Sequence, residues 1–384
     1  MTSPNKNSRR RTVIRICHVT TVHTPFDTRI FHRECMSLLR AGYEVHLVGR
    51  HERDEMIDGV HIHGLPTPPN RLARMLMWPW LACRKALSLH PVLVHFHDPE
   101  LLPCGQMLRL GGMRVIFDVH ENVAADLRWK PYLPRSLRLP MALAYQAIEA
   151  VVSVGMPTLH VLEEIARRYR QPRAVARNLP RANQAPARAA RPASQQPRLI
   201  YLGVISTDRG AMTMIELAHI LTGRGVDFEL RLVGDIREPR LQQKINHAIA
   251  AAGLSDRVIL TGPLPYEQAS QQLAAADLGL CLLHPTPNYV NSLPTKVLEY
   301  MRAGLPVVAS DFGRWREYVT STGAGIQVNV AAVEQIADAV QALLGQRQRM
   351  HEMSRRGVAA VRSRYCWEKE QESLLAFYRR LLDG

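Results

Sequence analysis

The sequence has few cysteines, and their spacing argues against two common scaffolds. Six occur in 384 residues, and none belongs to a CxxC pair. Isolated cysteines argue against a disulfide framework or a structural zinc site and favour a reduced cytosolic protein. Long apolar runs are also missing: none approaches the roughly 18 residues of a membrane-spanning helix. The basic opening "MTSPNKNSRRR" is not typical of a secretory signal.

Acidic residues are scarce relative to basic ones. Asp and Glu total 34 against 49 Lys and Arg, which gives a formal net charge of +15 and a pI near 10.0. This balance favours an anionic partner: nucleic acid, an acidic membrane surface or a phosphorylated ligand. Because the sequence contains no recognisable RNA- or DNA-binding module, nucleic acid is not the expected partner.

Apolar runs alternate with helical patterns along the whole chain, and this predicts two α/β domains with doubly wound parallel sheets. Segment 179–197 is rich in Pro, Ala, Arg and Gln and interrupts the alternation. It is predicted to link an N-terminal domain, 1–178, to a C-terminal domain, 198–364. The run "VVSVG" (151–155) is predicted as a strand. Residues 365–384 are predicted as an amphipathic helix, and its docking on the first domain stays open.

One stretch, "NSLPTKVLEYMRAGLPVVASD" (291–311), carries the strongest site signal. Ser292 suits the N-cap of a helix, the proline after it suits the first turn, and Gly304 suits the C′ position. Such a helix opens at the mouth of a strand–loop–helix unit, with free backbone N–H groups. We therefore predict an anion site, to which Thr295 and Lys296 add a hydroxyl and a cation.

Glu299 lies on the same helix face as Thr295 and Lys296, beside apolar neighbours among which a lone carboxylate is costly. A carboxylate next to a phosphate site matches the 2′ and 3′ hydroxyls of a ribose. The expected ligand is therefore a nucleotide diphosphate. The plainer alternative is a weak ion pair between Glu299 and Lys296 on a solvated helix face.

The segment "NYVNSLPTKVLEYMRAGLPVVASDFGRWREYV" resembles the donor-binding segment of the retaining GT-B glycosyltransferases usually called family 4. The stretches "HFHDPELLP", "FDVHEN" and "YLGVISTDRG" also occur in that family's order, so the resemblance covers nearly the whole chain. It implies a GT-B fold, with two Rossmann-like domains that face each other across a cleft. It also implies a nucleotide-sugar donor held mainly by the C-terminal domain and an acceptor held mainly by the N-terminal domain.

The resemblance further implies roles for individual donor-site residues. Glu299 would bind the donor ribose, but Asn291 stands where the family's E-x7-E pattern has its first Glu, which alters the contact to the donor sugar. The family's G-R-x4-K-G pattern keeps Arg209 as its second basic residue, while Val204 replaces the first. We expect Lys296 to supply the missing cation. The predicted donor-binding residues are Gly203, Asn291, Ser292, Thr295 and Glu299.

His120 ends the strand "VIFDVH" and matches the family's histidine near the donor sugar, where it helps to stabilise the transition state. The alternative is a strand-end histidine that only satisfies local hydrogen bonds. Asp98 and Glu121 lie at comparable strand ends and would orient hydroxyls of the acceptor or the sugar. The predicted catalytic residues are His120, Arg209 and Lys296.

No metal cofactor is expected, because the sequence has no Asp-x-Asp pair to hold a divalent ion. The pairs His61/His63 and His95/His97 have a spacing compatible with zinc ligands, but alternation within buried strands explains them more simply. Catalysis would then be mainly electrostatic, with basic residues and helix amides stabilising the departing diphosphate.

The leading hypothesis is a metal-independent, retaining glycosyltransferase that moves a sugar from a nucleotide-diphosphate sugar to a glycan acceptor in surface polysaccharide or glycolipid biosynthesis. A sugar-nucleotide 2-epimerase shares the GT-B architecture, and only the pI suggests a non-enzymatic nucleic-acid-binding protein. Segments 70–87 and 128–141 mix basic with aromatic or aliphatic residues, as in helices that lie on anionic membranes. A cytoplasmic protein peripheral to the membrane would suit a lipid-linked acceptor. The alternative is helices that pack on the sheet and leave their charges in water. The oligomeric state stays open.

Overall fold

The chain divides into two units that each have their own sheet. Unit 1 comprises Met1–Arg177 and Glu370–Gly384, and unit 2 comprises Asn178–Lys369. Most of the predicted linker, 179–197, lies outside the described residues. Within the described ranges, no helix has the length and apolar character needed to span a membrane. The computed structural model describes residues 13–120, 122–129, 133–169, 172–182 and 196–383.

Unit 1 contains an eight-stranded sheet. Its strands are β1 (Arg15–Val19), β2 (Glu44–Arg50), β3 (Glu55–Ile57), β4 (Val60–Leu65), β5 (Leu93–Phe96), β6 (Arg114–Val119), β7 (Thr158–His160) and β8 (Arg173–Val175). The strand order is β3-β4-β2-β1-β5-β6-β7-β8, and all neighbours are parallel except the β3–β4 pair. The central strands are apolar and buried along nearly their whole length, as expected for a sheet covered on both faces.

Short helices cover this sheet. A π-helical turn, Ile30–Cys35, leads into the first of them, and the Asn70 and Asn122 side chains cap two others by accepting a hydrogen bond from the first turn. The helices are α1 (Met36–Arg40), α2 (Arg71–Leu76), α3 (Trp78–Ser88), α4 (Leu102–Leu110), α5 (Val123–Leu127), α6 (Arg135–Val152) and α7 (Glu163–Ala166).

Unit 2 contains a six-stranded sheet that is parallel throughout. Its strands are β9 (Arg198–Leu202), β10 (Glu229–Val233), β11 (Val258–Gly262), β12 (Leu278–Cys281), β13 (Val307–Ser310) and β14 (Gly325–Val328). They are ordered β11-β10-β9-β12-β13-β14. The helices are α8 (Ala211–Gly223), α9 (Pro239–Ala251), α10 (Tyr266–Ala274), α11 (Pro287–Val290), α12 (Thr295–Arg302), α13 (Val333–Leu344), α14 (Arg347–Ser363) and α15 (Trp367–Asp383).

The last helix, α15, begins in unit 2 and continues in unit 1. In unit 1 its apolar face is buried at Leu374, Phe377 and Tyr378. Ser373 Oγ donates a hydrogen bond to the Val175 carbonyl at 2.8 Å, and the Tyr378 hydroxyl lies 2.6 Å from His95 Nδ1. The C-terminal residues are thus an integral part of the N-terminal sheet's covering layer.

The predicted fold class, two doubly wound α/β domains, is confirmed by the two sheets. The predicted strand at 151–155 is wrong, because Val151 and Val152 end helix α6 and the strand forms at Thr158–His160 instead. Val151 and Val154 are largely exposed, whereas all three residues of β7 are buried. The apolar pattern "VVSVG" predicts a buried strand, but its valines lie at the exposed end of a helix and in the turn after it.

Candidate active site

The predicted donor residues meet at the point where the unit 2 sheet changes its direction of growth, between β9 and β12. In open α/β sheets, ligands bind outside the carboxyl ends of the strands at such a point. Gly203 follows β9 directly, Arg209 lies in the loop that leads into α8, and Lys296 lies in the first turn of α12. The structure therefore brings these three residues to one edge of the sheet.

Gly203 lets the Lys296 side chain cross the end of β9. Its φ is +133°, and a Cβ at this position would lie 2.5 Å from Lys296 Cε. The lysine ammonium lies 5.9 Å from the centre of the Tyr201 ring, and within the described chain it makes no hydrogen bond or ion pair. Burial and the nearby Arg209 lower the pKa of Lys296. A bound anion would offset the repulsion between these two cations and the cost of burying Lys296.

Arg209 is held in place by a residue from the other loop of the site. Its Nε donates a hydrogen bond to the Tyr289 hydroxyl at 3.1 Å, and that hydroxyl donates to Asp208 Oδ2 at 2.6 Å. The His284 amide also donates to the Asp208 carbonyl at 2.8 Å. Hydrogen bonds to Asp208 and Arg209 therefore join the loops that follow β9 and β12.

Sequence reasoning missed Asp208 and Tyr289. Tyr289 lies two residues before Asn291 inside the quoted donor segment, but nothing in the spacing showed that it reaches the β9 loop. Asp208 directly precedes Arg209, and an acidic neighbour of a predicted phosphate-binding arginine was the available signal. Both residues hold the guanidinium of Arg209 in place through the contacts described above.

Helix α12 begins later than the sequence predicts. Thr295 is its first residue, and Pro294 occupies the N-cap position with no side-chain cap. The predicted N-cap role of Ser292 is wrong, because its hydroxyl donates to the Tyr289 carbonyl at 3.0 Å and so belongs to the preceding turn. Asn291 is exposed at the end of α11. Thr295 and Lys296 both remain in the first turn, where the anion site was predicted.

Glu299 pairs with Arg302, not with Lys296. One carboxylate oxygen lies 2.8 Å from Arg302 Nη2, in an i,i+3 pair on α12. Arg302 is buried, whereas the Glu299 side chain keeps 23% of its surface exposed. The ion pair with Arg302 offsets the cost of placing the Glu299 carboxylate beside apolar neighbours. It also fixes the orientation of that carboxylate.

In unit 1, His120 follows β6 and is anchored by Asp118 of the same strand and by His97, which follows the neighbouring strand β5. Its Nε2 lies 2.7 Å from Asp118 Oδ2 and 3.2 Å from His97 Nδ1. Arg29 binds the same carboxylate with two hydrogen bonds, Nε to Oδ2 at 2.8 Å and Nη2 to Oδ1 at 2.9 Å. Burial acts to raise the pKa of Asp118, but Arg29 and His120 outweigh it and lower that pKa well below its usual range.

Asp118 and Arg29 were not among the predicted site residues. Asp118 lies two residues before His120, so the period of a strand places both on one face, and this was a usable signal. Arg29 is 89 residues away in sequence from Asp118, and only the fold brings the two together.

Asp98, which follows β5, holds the loop after β1 by hydrogen bonds. It is buried, and its Oδ2 accepts hydrogen bonds from the Thr21 amide at 2.6 Å, the Val22 amide at 3.1 Å and the Thr20 hydroxyl at 2.8 Å. Asp98 therefore positions this loop, and its predicted role towards a hydroxyl of the acceptor or the sugar stays a prediction. Glu121, the other weak candidate, lies outside the described residues.

Three groups of side chains within the described residues are close enough to hold an ion. Their ring nitrogens are largely engaged already: His46 Nε2 lies 2.8 Å from Glu44 Oε1, and His46 Nδ1 lies 2.9 Å from His63 Nε2. The His18–His97 pair is likewise joined at 2.9 Å. The absence of a metal cofactor stays a prediction. The groups are Glu44, His46 and His61; His18, Glu34, His95 and His97; and His97, Asp118 and His120.

Two doubly wound sheets, with basic residues at the switch point of one and a histidine beyond the strands of the other, define a GT-B type of fold. The model of "Glycosyltransferase Family 4" matches residues 28–181, and that of "Glycosyl transferases group 1" matches residues 184–359. The chain belongs to the GT-B glycosyltransferases of family 4, group 1.

Curated relatives are similar over part of their length. The chain is 27% identical to an alpha-D-kanosaminyltransferase of Streptomyces kanamyceticus over 48% of this chain and 46% of the relative. It is 28% identical to a GDP-mannose:cellobiosyl-diphosphopolyprenol alpha-mannosyltransferase of Xanthomonas campestris over 44% and 43%, respectively. The matched region thus spans less than half of each of these relatives.

Solved structures share the fold over almost the whole chain. Sucrose-phosphate synthase of Thermosynechococcus elongatus superimposes with a TM-score of 0.77 at 18% identity, covering 96% of this chain and 99% of the other. HepE of Anabaena, solved with UDP and glucose, gives a TM-score of 0.71 at 13% identity, covering 96% and 100%. At such identities the likeness establishes the fold alone.

Proposed function

We propose that this protein is a retaining glycosyltransferase that moves a sugar from a nucleotide-diphosphate sugar to a glycan acceptor. The observation that carries the proposal is the pair of cations, Arg209 and Lys296, at the switch point of the unit 2 sheet. Burial and mutual repulsion disfavour the charge of Lys296, and a diphosphate relieves both effects. Family membership and the UDP-bound state of HepE support the same class of donor.

The proposed chemistry is stabilisation of a leaving group. The bond between the anomeric carbon and the diphosphate oxygen breaks, and the acceptor hydroxyl attacks from the same face. Attack on this face retains the configuration at the anomeric carbon, and the hydroxyl proton passes to the departing phosphate oxygen. Arg209, Lys296 and the first amides of α12 stabilise the charge that develops on the diphosphate, and no divalent metal is required.

His120 belongs to the acceptor and sugar side of this proposal. Its Nε2 is directed at Asp118, and a histidine held in this way presents its other nitrogen to a ligand. A hydrogen bond from a sugar hydroxyl to that nitrogen, or the positive charge of a protonated ring, would support the transition state. Loss of His120 should therefore lower turnover more than donor affinity.

We further propose a lipid-linked acceptor and an anionic membrane surface as partners. The Xanthomonas relative is named for a diphosphopolyprenol acceptor, and another relative for a phosphatidylinositol monomannoside. Helix α2 buries none of its residues, and Leu72, Leu76 and Met77 in and after it are each more than 60% exposed. Apolar side chains exposed in this number support a surface that inserts into the membrane interface.

The second segment proposed to contact the membrane, 128–141, combines exposed apolar and exposed basic side chains. Trp129 is 59% exposed, and helix α6 buries only Ala142 and Glu149. Arg128 and Arg135 are exposed beside them. On α2 and α3, by contrast, Arg74 pairs with Glu100 and Lys85 with Asp54, so those charges contribute less to membrane attraction. The α2–α3 segment would supply apolar contact and the α5–α6 segment would supply charge.

The deciding experiment is a thermal-shift screen against UDP-, GDP-, ADP- and dTDP-sugars, followed by a transfer assay with a polyprenyl-diphosphate glycan. A ligand at 100 times its Kd stabilises the native state by about 2.7 kcal/mol. We expect one donor to shift the midpoint and then to transfer its sugar in the presence of EDTA. Lys296→Ala should lose both effects. An epimerised nucleotide sugar without transfer, or no shift with any donor, would contradict the proposal.

A further inference from the structure

A chain of buried hydrogen-bonding groups runs from His120 to the C-terminal helix, entirely within unit 1. All of its members except His120 are buried, and four of the six side chains are imidazoles. The consecutive distances are His120 Nε2 to Asp118 Oδ2 2.7 Å, Asp118 Oδ2 to His97 Nδ1 3.2 Å, His97 Nε2 to His18 Nδ1 2.9 Å, His18 Nε2 to Tyr378 Oη 3.3 Å, and Tyr378 Oη to His95 Nδ1 2.6 Å.

The direction of every bond in this chain follows from its one carboxylate. An ionised Asp118 only accepts, so His97 carries its proton on Nδ1 and has a lone pair on Nε2. His18 must then donate from Nδ1 and accept at Nε2, where the Tyr378 hydroxyl is its only partner of the chain. The Tyr378 oxygen in turn accepts from His95 Nδ1. One arrangement thus satisfies all five contacts, with each donor pointing towards Asp118.

This arrangement requires the three inner histidines to be neutral, and burial disfavours their charged forms. Burial and the neighbouring His97 lower the pKa values of His18 and His95, and burial also lowers that of His97. A neutral imidazole has one N–H, so each ring is restricted to a single tautomer as long as its neighbours keep theirs. The tautomer at one end of this hydrogen-bonded series therefore depends on the tautomer at the other end.

We propose that Tyr378 of helix α15 is a positioning residue that acts through His18 and His97. It keeps the His120 Nε2–H donating to the Asp118 carboxylate, so that His120 Nδ1 faces the ligand. The Tyr378 hydroxyl acts by donating a hydrogen bond to His18 Nε2. The hydroxyl adds to the preference that Asp118 imposes. Without it, the His18 Nε2 lone pair has no donor in this chain, and only Asp118 then opposes the other arrangement, in which His18 carries its proton on Nε2 and His97 turns its Nδ1 lone pair towards Asp118. His120 Nε2 would be shared between that lone pair and the carboxylate, since it lies 3.2 Å from His97 Nδ1.

The groups that face His120 come from several elements. Asp118 lies on its own strand, His97 follows β5, and the His23 ring, from the loop after β1, lies 5.2 Å from the His120 ring. Arg29 is the nearby cation, and its Nε lies 2.8 Å from Asp118 and 2.9 Å from Oε1 of Glu34, a carboxyl whose pKa is raised by burial and by Asp118. Tyr378 acts on this set only through the inner histidines, so its removal changes no charge beside His120.

The first test reads the tautomers directly in the full-length protein. Histidine side-chain 15N spectra, assigned with single His→Gln variants, should show His18, His95 and His97 as Nδ1–H and neutral His120 as Nε2–H. Free histidine favours the Nε2–H form, so three Nδ1–H rings are a distinctive signature. Finding Nε2–H at His18 or His97 would overturn the proposal. This reading needs no substrate, so it stands or falls independently of the proposed function.

The second test compares Tyr378→Phe with Tyr145→Phe. The phenylalanine keeps the buried ring and removes only the hydroxyl, while the control removes a hydroxyl that donates to Glu149 at 3.0 Å elsewhere in unit 1. For Tyr378→Phe we expect mixed tautomers at His18 and His95, and a kcat lower by about threefold to tenfold with an altered pH profile. The donor KM should stay within about twofold.

The control should match the wild type in spectra and kinetics. Unchanged histidine signals and an unchanged pH profile in a folded Tyr378→Phe protein would reduce Tyr378 to a packing residue and overturn the proposal. Equal losses in both tyrosine variants would do the same. If Tyr378→Phe does not fold, an Nε2–H form of His18 or His97 in the wild type still overturns the proposal. The kinetic test rests on the proposed glycosyl transfer, and a failed donor screen would separate that failure from this one.

Discussion

At the scale of single residues, Glu299 has two tasks that a substitution can separate. Its carboxylate compensates the buried Arg302 at 2.8 Å, and the same group is the predicted ribose ligand. Glu299→Ala removes both, and it leaves a buried guanidinium without this partner, which typically costs about 1–3 kcal/mol or more. We expect Glu299→Ala to lower the thermal midpoint as well as donor affinity.

Glu299→Gln is the matched control for this prediction. The amide keeps the size of the side chain and an oxygen that accepts from Arg302, so stability should recover more than donor affinity does. Calorimetric binding of the donor and a melting curve measure the two effects. A Glu299→Ala protein with unchanged donor affinity would remove Glu299 from the donor site. One with lost stability but normal affinity would leave it a purely structural partner of Arg302.

Lys296 should give donor binding a characteristic pH dependence. Burial and Arg209 lower its pKa, so the lysine begins to lose its proton at a lower pH than an ordinary lysine. A bound diphosphate favours the charged form, and affinity therefore falls as pH rises through the lowered pKa. The Kd of the protein for the nucleoside diphosphate, determined at several pH values between 7 and 10, measures this decline. Lys296→Met should bind more weakly and lose the alkaline decline, and a decline that persists in it would assign the effect to another group.

The donor site was largely predictable at this scale, and the acceptor side was not. Gly203 and Arg209 lie in "YLGVISTDRG" and Lys296 lies in "NSLPTKVLEY", and these two stretches mark the end of a strand and the beginning of a helix. Arg29 and Tyr378 reach the neighbourhood of His120 from distant parts of the chain, and no local pattern marks such contacts. The wrong N-cap prediction for Ser292 has a similar cause, because its hydroxyl donates to the Tyr289 carbonyl instead of capping α12.

At the scale of elements, strands that are buried on both faces could be predicted and short or peripheral ones could not. "LGLCLL" and "PVVAS" contain β12 and β13, in which every residue is buried. The three-residue strands β3, β7 and β8 contain too few side chains for a period to show. The end of α12 was predictable as well, since Gly304 has a φ of +74° and follows the last turn as a C′ residue.

Helices α2 and α6 should attach the protein to anionic membranes by different forces. Leu76→Asp/Met77→Asp removes apolar contact from the α2–α3 segment, and Arg128→Glu/Arg135→Glu reverses charge on the α5–α6 segment. Each basic residue near such a surface contributes about 1 kcal/mol, so the second variant should lose more than tenfold in partitioning. Co-sedimentation with vesicles containing phosphatidylglycerol measures this, with pure phosphatidylcholine for comparison.

Two controls make the membrane prediction decisive. Leu110→Asp changes an equally exposed leucine, 74% exposed, at the end of α4 and should leave sedimentation unchanged. Donor hydrolysis in solution should survive in all variants, because the donor residues lie in unit 2. Salt should weaken the wild type and have less effect on the charge-reversed variant. A wild type that ignores anionic vesicles would contradict the membrane proposal, and loss in the Leu110→Asp control would show that the effect is not local.

At the scale of the whole molecule, unit 1 should lose stability in mild acid. The buried His18, His95 and His97 have lowered pKa values in the fold, while the unfolded chain titrates them near the ordinary 6.5. Below that pH the unfolded chain takes up protons that the fold excludes, so their contribution is complete above about 6.5 and declines as the pH falls. Glu34 opposes this with one proton, because burial and Asp118 raise its pKa.

The three inner histidines less Glu34 account for two net protons, which correspond to a loss of about 2–3 kcal/mol in the free energy of unfolding per pH unit below about 6. His46, His63 and His160 of the same unit also have lowered pKa values and add to this slope. Urea melts at pH 7.5, 6.0 and 5.0 measure the slope, and hydrogen exchange should locate the loss in β1 and β5, whose histidines are involved. His95→Asn removes one titrating group, so its slope should be smaller by about 1.4 kcal/mol per pH unit even if the variant is less stable overall. A flat profile in the wild type, or an unchanged slope in His95→Asn, would mean that these histidines are already charged in the fold, and the directed hydrogen-bond chain to Tyr378 would then have lost its basis.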